Sequence, residues 1–144
     1  SPYTLDQKLP NGPETRFTEA ANGLPGIELR LSLLHTAAVA AGPLDMVGFV
    51  DLVSANPARA CGMYPRKGSL QVGADADLVV WDPASFTVRW ADLHDNVGYT
   101  PYEGMELAGR PHAVVSAGEI LVREDTDGTR PGRGAFVSRS SPVR

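Results

Sequence analysis

The chain is poor in the residues from which redox and metal centres are built. Its 144 residues include one cysteine, Cys61, and three histidines, His35, His94 and His112. A single cysteine excludes a disulfide within the chain, which favours a reducing compartment and a cytoplasmic location. The histidines lie far apart and form neither an HxH nor an HExxH pattern. The sequence therefore contains no local motif for a bound metal ion.

Charge and hydropathy argue against two further classes of partner. The 13 basic and 17 acidic residues give a net charge of −4. This balance provides no electrostatic attraction to nucleic acid or to an anionic membrane. No apolar run is long enough to cross a bilayer, and no signal peptide is visible after Ser1, where the chain starts without Met. A hydrophobic content of 42% is ordinary for a globular protein of this length.

The first part of the chain predicts a long loop followed by a helix. Four prolines and three glycines lie within residues 1–26, which favours a loop with at most a short turn. Apolar residues at helical spacing then predict a helix over about 26–41, with His35 on its polar edge. The residues expected on the buried face of this helix are Ile27, Leu31, Leu34 and Ala38.

Two more helices are expected before the chain changes character near Pro65. A second helix should begin at Asp45, which places a negative charge at its N-terminus. Asn56 is expected to cap a third, short helix with Pro57 at its first position, where a missing N–H has no consequence. Cys61, in that short helix, is interpreted as a small buried hydrophobic residue rather than as a nucleophile.

Beyond Lys67 the pattern is that of β-strands. The apolar run 78–81 predicts a buried strand, and the alternating Phe86, Val88 and Trp90 predict a half-buried one. Two further runs, 113–115 and 120–122, predict a β-hairpin around the turn 116–119. After Asp125 the chain is polar, with Phe136 and Val137 as its anchors. The arginines near this end are interpreted as a solvated tail.

The dipeptide Asn22-Gly23 has two interpretations. Alone, it is a simple turn. At the end of a long loop and just before a helix, it is also compatible with the loops that line active sites at one face of a (β/α)8 barrel. For His94, between Asp92 and Asp95, a turn with side-chain hydrogen bonds is favoured over a mononuclear metal site.

Six short blocks along the chain resemble the carboxyl end of the cyclic amidohydrolases, which include hydantoinases, dihydropyrimidinases and allantoinases. In order, the blocks are NGLPGIELR (22–30), NPAR (56–59), YPRKG (64–68), VGADADL (72–78), YEGM (102–105) and GAFVSR (134–139). The run RLSLLHT (30–36) also looks similar to allantoinases, so the subfamily is left open. The order of the blocks, more than any single one, carries the resemblance.

The resemblance implies a metal-dependent (β/α)8 hydrolase barrel with a small β-sandwich. In that family two divalent ions, usually zinc, activate the water that attacks the amide carbon of a cyclic ureide. The metal ligands and the catalytic Asp would precede Ser1, so this chain is expected to hold no metal ligand and no catalytic residue. By resemblance, only Asn22 and Gly23 transfer as substrate-binding residues, acting through backbone groups.

We therefore expect an α/β chain that forms the C-terminal end of such a barrel, followed by sandwich strands. Residues 1–66 would be the last active-site loop and the closing helices, 67–124 the sandwich strands and 125–144 a tail. The expected partners are a cyclic ureide, the rest of the barrel and further copies in a homo-oligomer, without nucleic acid or membrane. The alternatives are a non-catalytic family member, a scaffold or assembly module, and a natural short protein rather than a portion of a longer one.

Overall fold

The computed structural model describes residues 3–123 and 126–140, in which helices come first and strands second. The predicted boundary between residues 124 and 125 lies outside these ranges, as do Ser1 and Arg144. The helices are α1 (Leu5–Lys8), α2 (Arg30–His35), α3 (Met46–Val50) and α4 (Asn56–Ala60). The strands are β1 (Leu78–Thr87), β2 (Glu106–Ser116), β3 (Glu119–Arg123) and β4 (Thr126–Asp127).

Helix α2 lies where the sequence predicts it, but its buried face is different. The helix begins at Arg30 and continues through a π-helical turn, Thr36–Ala40. Ile27, expected to be buried, is 87% exposed. The face that packs inward instead carries Leu29, Ser32 and His35. His35, which the sequence places on the polar edge of this helix, therefore lies on its buried face.

The reason lies in β2, the strand on which α2 packs, next to an irregularity in its pairing with β1. The pairing of β1 with β2 is interrupted between Asp82 and Ser85, opposite Ala108 and Arg110. The backbone groups of Ala108 bond to the helix. Its carbonyl oxygen lies 2.6 Å from His35 Nδ1, and its N–H donates to Thr36 Oγ1 at 2.8 Å. Polar helix residues are therefore buried because they form hydrogen bonds with the backbone of β2.

Helices α3 and α4 form one continuous helix instead of the two that the sequence predicts. Asp45 caps it, as expected, by accepting a hydrogen bond from the Gly48 N–H at 2.8 Å. Asn56 has helical dihedral angles and makes no capping bond, so its predicted role is wrong. A π-helical turn, Asp51–Ala55, joins the two parts. This wider turn accommodates Pro57, whose ring would crowd the carbonyl four residues earlier in a regular helix.

Within the described residues the strands form one antiparallel sheet in the order β1-β2-β3-β4. The predicted hairpin is confirmed: β2 and β3 meet at a turn in which Ala117 and Gly118 have φ values of 50° and 80°. The two strands predicted over 78–90 are a single strand, β1, which passes through Pro83 with register shifts. Its first residues, Leu78, Val79 and Val80, are exposed rather than buried.

The core joins the helical half to the sheet. Leu29, Val88 and Leu107 are its fully buried members, and Leu33, Phe86, Leu93 and Tyr102 pack against them. Beside this cluster, the rings of His35, Phe49 and Trp81 are in mutual contact, with centroid separations of 5.1 to 6.1 Å. No helix in the described ranges combines the length and the apolar character that a membrane crossing requires.

Two expectations about single side chains are also wrong. Cys61, the residue that follows α4, is exposed rather than buried. Phe136 is 88% exposed and is not an anchor.

Two arginines of the predicted solvated tail make specific contacts. Arg130 forms an ion pair with Glu119 at 2.7 Å while its side chain stays 66% exposed, and Arg133 donates to the Ser116 carbonyl at 2.7 Å.

Candidate functional site

The candidate site is the loop that carries Asn22 and Gly23, and it begins at helix α1. Thr4 caps this single turn by a reciprocal pair of bonds: its hydroxyl accepts from the Gln7 N–H, and its own N–H donates to Gln7 Oε1 at 3.1 Å. Cap bonds of this kind fix short helices that would not persist alone. The turn ends at Lys8, and the cap thus sets the direction in which the Lys8 side chain leaves the backbone.

Lys8 reaches across the loop to the segment 21–23. Its Nζ donates to the carbonyl oxygens of Ala21 and Gly23 at 2.5 and 2.8 Å. The Lys8 carbonyl in turn accepts from the Ala21 N–H at 3.4 Å. Lys8 is half-buried, and its ammonium pairs with no carboxylate of the described residues. The charge of Lys8 is therefore directed at backbone oxygens.

The far end of the loop is held by a close approach and by contacts between Glu28 and His94. Gly26 has a φ of 138°, and a Cβ there would lie 2.7 Å from Tyr102 Cε2, so only glycine fits. The Glu28 carboxylate accepts from the His94 backbone N–H at 2.9 Å and meets His94 Nδ1 at 2.8 Å. Asp95 accepts from the Val97 N–H at 3.2 Å, which is the turn chemistry predicted for this segment.

Asn22 and Gly23 are both exposed between these two anchors. Gly23 has a φ of 97°, a backbone angle that favours glycine. The Asn22 N–H and C=O make no hydrogen bond with any described residue. Hollows of about 590 and 340 Å³ lie nearby, under α1 and beside Leu24–Glu28, but neither is lined by Asn22 or Gly23.

The three histidines lie in separate places. His35 bonds Ala108 in the core, His94 pairs with Glu28, and His112 is exposed on β2. Among residues 3–123 and 126–140, no three His, Cys, Asp or Glu side chains come close enough to share a metal ion. The donor set present in this part of the chain does not fit the metal centre that the resemblance implies.

A second charged cluster fastens the turn before β1 to the hairpin. Lys67 donates to the carboxylates of Asp77 and Asp75, and Asp77 also accepts from the Ala117 N–H at 2.8 Å. These bonds raise the pKa of Lys67. They lower the pKa values of both carboxyl groups, with the Lys67 hydrogen bond as the largest cause in each.

Sequence reasoning missed Lys8. A lone lysine in a breaker-rich segment gives no periodic signal, and its partners are backbone oxygens 13 and 15 residues away. Only the capping pattern of Thr4 and Gln7 was available as a signal, because it predicts the short turn from which Lys8 projects.

The comparisons agree on one family. Residues 18–121 match the model of the amidohydrolase family. D-hydantoinase from Streptomyces coelicolor is 42% identical over 126 residues, which is 87% of this chain and 27% of that protein. The chain thus spans about a quarter of the length of the curated relatives it matches.

Solved structures give the same result for the fold. A D-hydantoinase (dihydropyrimidinase) from a Thermus species is 40% identical with a TM-score of 0.86, over 96% of this chain and 30% of that one. The dihydropyrimidinase from Brevibacillus agri is 36% identical with a TM-score of 0.90, over 99% and 31%. The resemblance seen in the sequence blocks is confirmed. Because the matched residues make up most of its length, the chain belongs to the amidohydrolase family.

Proposed function

We propose that this chain is part of a metal-dependent cyclic amidohydrolase that hydrolyses the amide bond of a hydantoin- or dihydropyrimidine-type ureide. One observation carries the proposal: 96% of the chain superposes on a D-hydantoinase of 40% identity. At that identity both the fold and the local loop sequences are retained. The relatives named hydantoinase or phenylhydantoinase act on cyclic ureides, which sets the substrate class.

In this proposal residues 1–66 are the last active-site loop and the closing helices of a (β/α)8 barrel. Residues 67–124 supply strands of a small β-sandwich, and residues 125–144 are the tail. The exposed start of β1 supports the arrangement. Leu78, Val79 and Val80 point alternately to the two faces of the sheet, and all three are exposed. A sheet open on both faces at one end has room for further packing partners.

The substrate contact is assigned to Asn22 and Gly23. A cyclic ureide carries N–H donors next to carbonyl acceptors. The Asn22 N–H and C=O, unpaired with the described residues, complement such an edge. The anchors at Lys8 and Gly26 hold this segment in place before the ligand arrives, which reduces the entropy lost on binding.

The metal centre is assigned to residues outside this chain, because the described residues contain no suitable cluster. The metal, expected to be a pair of zinc ions, and the general base would then come from the rest of the barrel. A homo-oligomeric state and a cytoplasmic location complete the proposal. This chain alone should hydrolyse neither hydantoin nor dihydrouracil.

The test compares two polypeptides, the purified chain and the natural polypeptide that contains it. The intact mass of the natural polypeptide is measured first. Each polypeptide is assayed for ring opening of hydantoin and dihydrouracil, with zinc and with a chelator. We expect turnover by the natural polypeptide that the chelator abolishes, and none by the chain. A folded natural polypeptide that retains metal but opens neither ring would contradict the enzyme and favour a non-catalytic assembly module.

A further inference from the structure

We infer that Lys8 is a positioning residue, which holds the segment Ala21–Gly23 in the geometry that binds a cyclic ureide. The inference rests on the proposed function, in which Asn22 and Gly23 contact the substrate. Lys8 touches no reacting atom in this account. It acts through the backbone of Ala21, Asn22 and Gly23.

The geometry is that of a clamp around Asn22. Nζ donates to the carbonyl oxygen before Asn22 and to the one after it, at 2.5 and 2.8 Å. The Lys8 carbonyl adds a third bond, from the Ala21 N–H at 3.4 Å. An ammonium group has three donors and no acceptor, so it can bridge two carbonyls without competing for the N–H groups. One side chain thus fixes both flanks of Asn22.

The clamp also selects which backbone groups remain for a ligand. The Ala21 and Gly23 oxygens are occupied by Lys8, whereas the Asn22 N–H and C=O have no partner among residues 3–123 and 126–140. The segment consequently presents one donor and one acceptor from a single residue. A ureide edge has the complementary pair.

Lys8 further strengthens the donor of that pair. The Ala21 C=O and the Asn22 N–H belong to the same peptide group. A charged donor on the oxygen polarises this group and makes its N–H a better donor, as in any chain of hydrogen bonds. Removal of the ammonium should therefore weaken ureide binding in two ways, by releasing the segment and by reducing the polarity of the Asn22 N–H.

The first experiment measures hydantoin hydrolysis by the natural polypeptide that contains this chain, with its metal bound. Lys8→Met removes the donor and keeps the length of the side chain. We expect KM to rise about tenfold and kcat to change less than about twofold, since binding rather than chemistry is affected. Metal content should be unchanged. Arg16→Met is the matched control, because it removes an exposed positive charge from the same loop and should leave KM unaltered.

Lys8→Arg keeps the charge and N–H donors but moves them. Its KM should lie between those of the unaltered protein and Lys8→Met, roughly threefold above the former. Where Lys8→Met does not fold, this variant decides alone. An unaltered KM in the folded Lys8 variants overturns the inference. If the unaltered protein binds metal yet opens no ureide ring, the proposed function itself fails, which is a different result.

A second measurement needs no activity. Hydrogen–deuterium exchange of the Ala21 amide, which donates to the Lys8 carbonyl, reports the clamp in the natural polypeptide that contains this chain. We expect faster exchange in Lys8→Met and unchanged exchange in Arg16→Met, because only the former loses the Nζ bonds that hold Ala21 and Gly23 beside Lys8. Equal exchange rates in the two variants would mean that Lys8 does not hold the segment, and would overturn the inference whatever the kinetics show.

Discussion

At the scale of single residues, the chain places glycine where a side chain would collide with an aromatic ring. Gly109 has a φ of 83°, and a Cβ there would run into the indole nitrogen of Trp81. Trp81 cannot move aside easily, since its ring also contacts His35 and Phe49. Gly26 meets Tyr102 in the same way. The first approach lies within the sheet, between β2 and β1, and the second joins the loop before α2 to the loop before β2.

Gly109→Ala should therefore destabilise the fold. Overpacking against a rigid ring, together with a left-handed backbone angle, should lower the free energy of unfolding by about 2–4 kcal/mol. Gly104→Ala is the control. Gly104 has a φ of 77° with open space around it, so this substitution adds only the strain of a left-handed backbone angle. Urea denaturation of both variants checks the difference. Equal losses would show that Trp81 yields to the added methyl group.

Gly23→Val tests the proposed substrate contact at the same scale. A β-branched side chain at a φ of 97° should distort the backbone beside Asn22 and raise KM for hydantoin by about tenfold in the natural polypeptide, with metal content unchanged. Gly12→Val carries similar backbone strain in the same loop, at a φ of 56° and in open space, and should leave KM unaltered. Unaltered kinetics for Gly23→Val would return Asn22-Gly23 to the role of a simple turn.

At the scale of elements, the sequence predicts what is local and misses what depends on partners. The hairpin of β2 and β3 is predictable because two apolar runs flank a turn containing Gly118. The Asp45 cap is predictable because its hydrogen bond joins residues three positions apart in the sequence. The buried face of α2 is not predictable. It depends on hydrogen bonds to the backbone of Ala108, which lies 73 residues beyond His35. The family and the loop bearing Asn22 are recognisable from short blocks, whereas the Lys8 contacts require the folded chain.

The cluster of Lys67, Asp75 and Asp77 gives the fold a pH dependence. Both carboxyl groups have pKa values below the ordinary 3.8, so their contribution is present above that pH and is lost as pH falls through the lowered folded-state values. Lys67 has a pKa above 10.5, so its contribution is present below that value and is lost as pH rises past the folded-state pKa. The cluster therefore stabilises the protein between the two limits.

Asp77→Asn should flatten the acid side of this profile. The amide keeps a hydrogen-bond acceptor for the Ala117 N–H but cannot titrate or form an ion pair with Lys67. We expect the free energy of unfolding at neutral pH to fall by less than about 1 kcal/mol, since the pair is partly exposed, and its further loss as pH falls below 3.8 to become smaller. Asp92→Asn, outside the cluster, is the control. A variant with the unaltered acid profile would show that Asp77 does not contribute to it.

At the scale of the whole molecule, many large apolar side chains are exposed. The most exposed large apolar side chains are Phe17, Ile27, Val47, Leu70, Val72 and Phe136, each at least 71% exposed. They lie on the loop, on α3, before β1 and near the end of the described chain, so the exposure is general. Each of these side chains offers apolar area that contact with further chain or further copies would remove from water.

The purified chain should consequently associate with itself, and β1 should contribute most. This strand is ten residues long, pairs only with β2 among the described strands, and begins with three exposed apolar residues. Long apolar edge strands join to other chains unless charges protect them. Val80→Lys places a charge on that edge and should shift the sedimentation profile towards monomer and reduce binding of a hydrophobic dye. Ser85→Lys is the control, because it adds the same charge at an exposed polar position of β1. It should change the sedimentation profile and the dye binding only slightly. A sharp monomer peak for the unaltered chain, with cooperative thermal unfolding and no dye binding, would contradict this prediction and identify the chain as a self-sufficient domain.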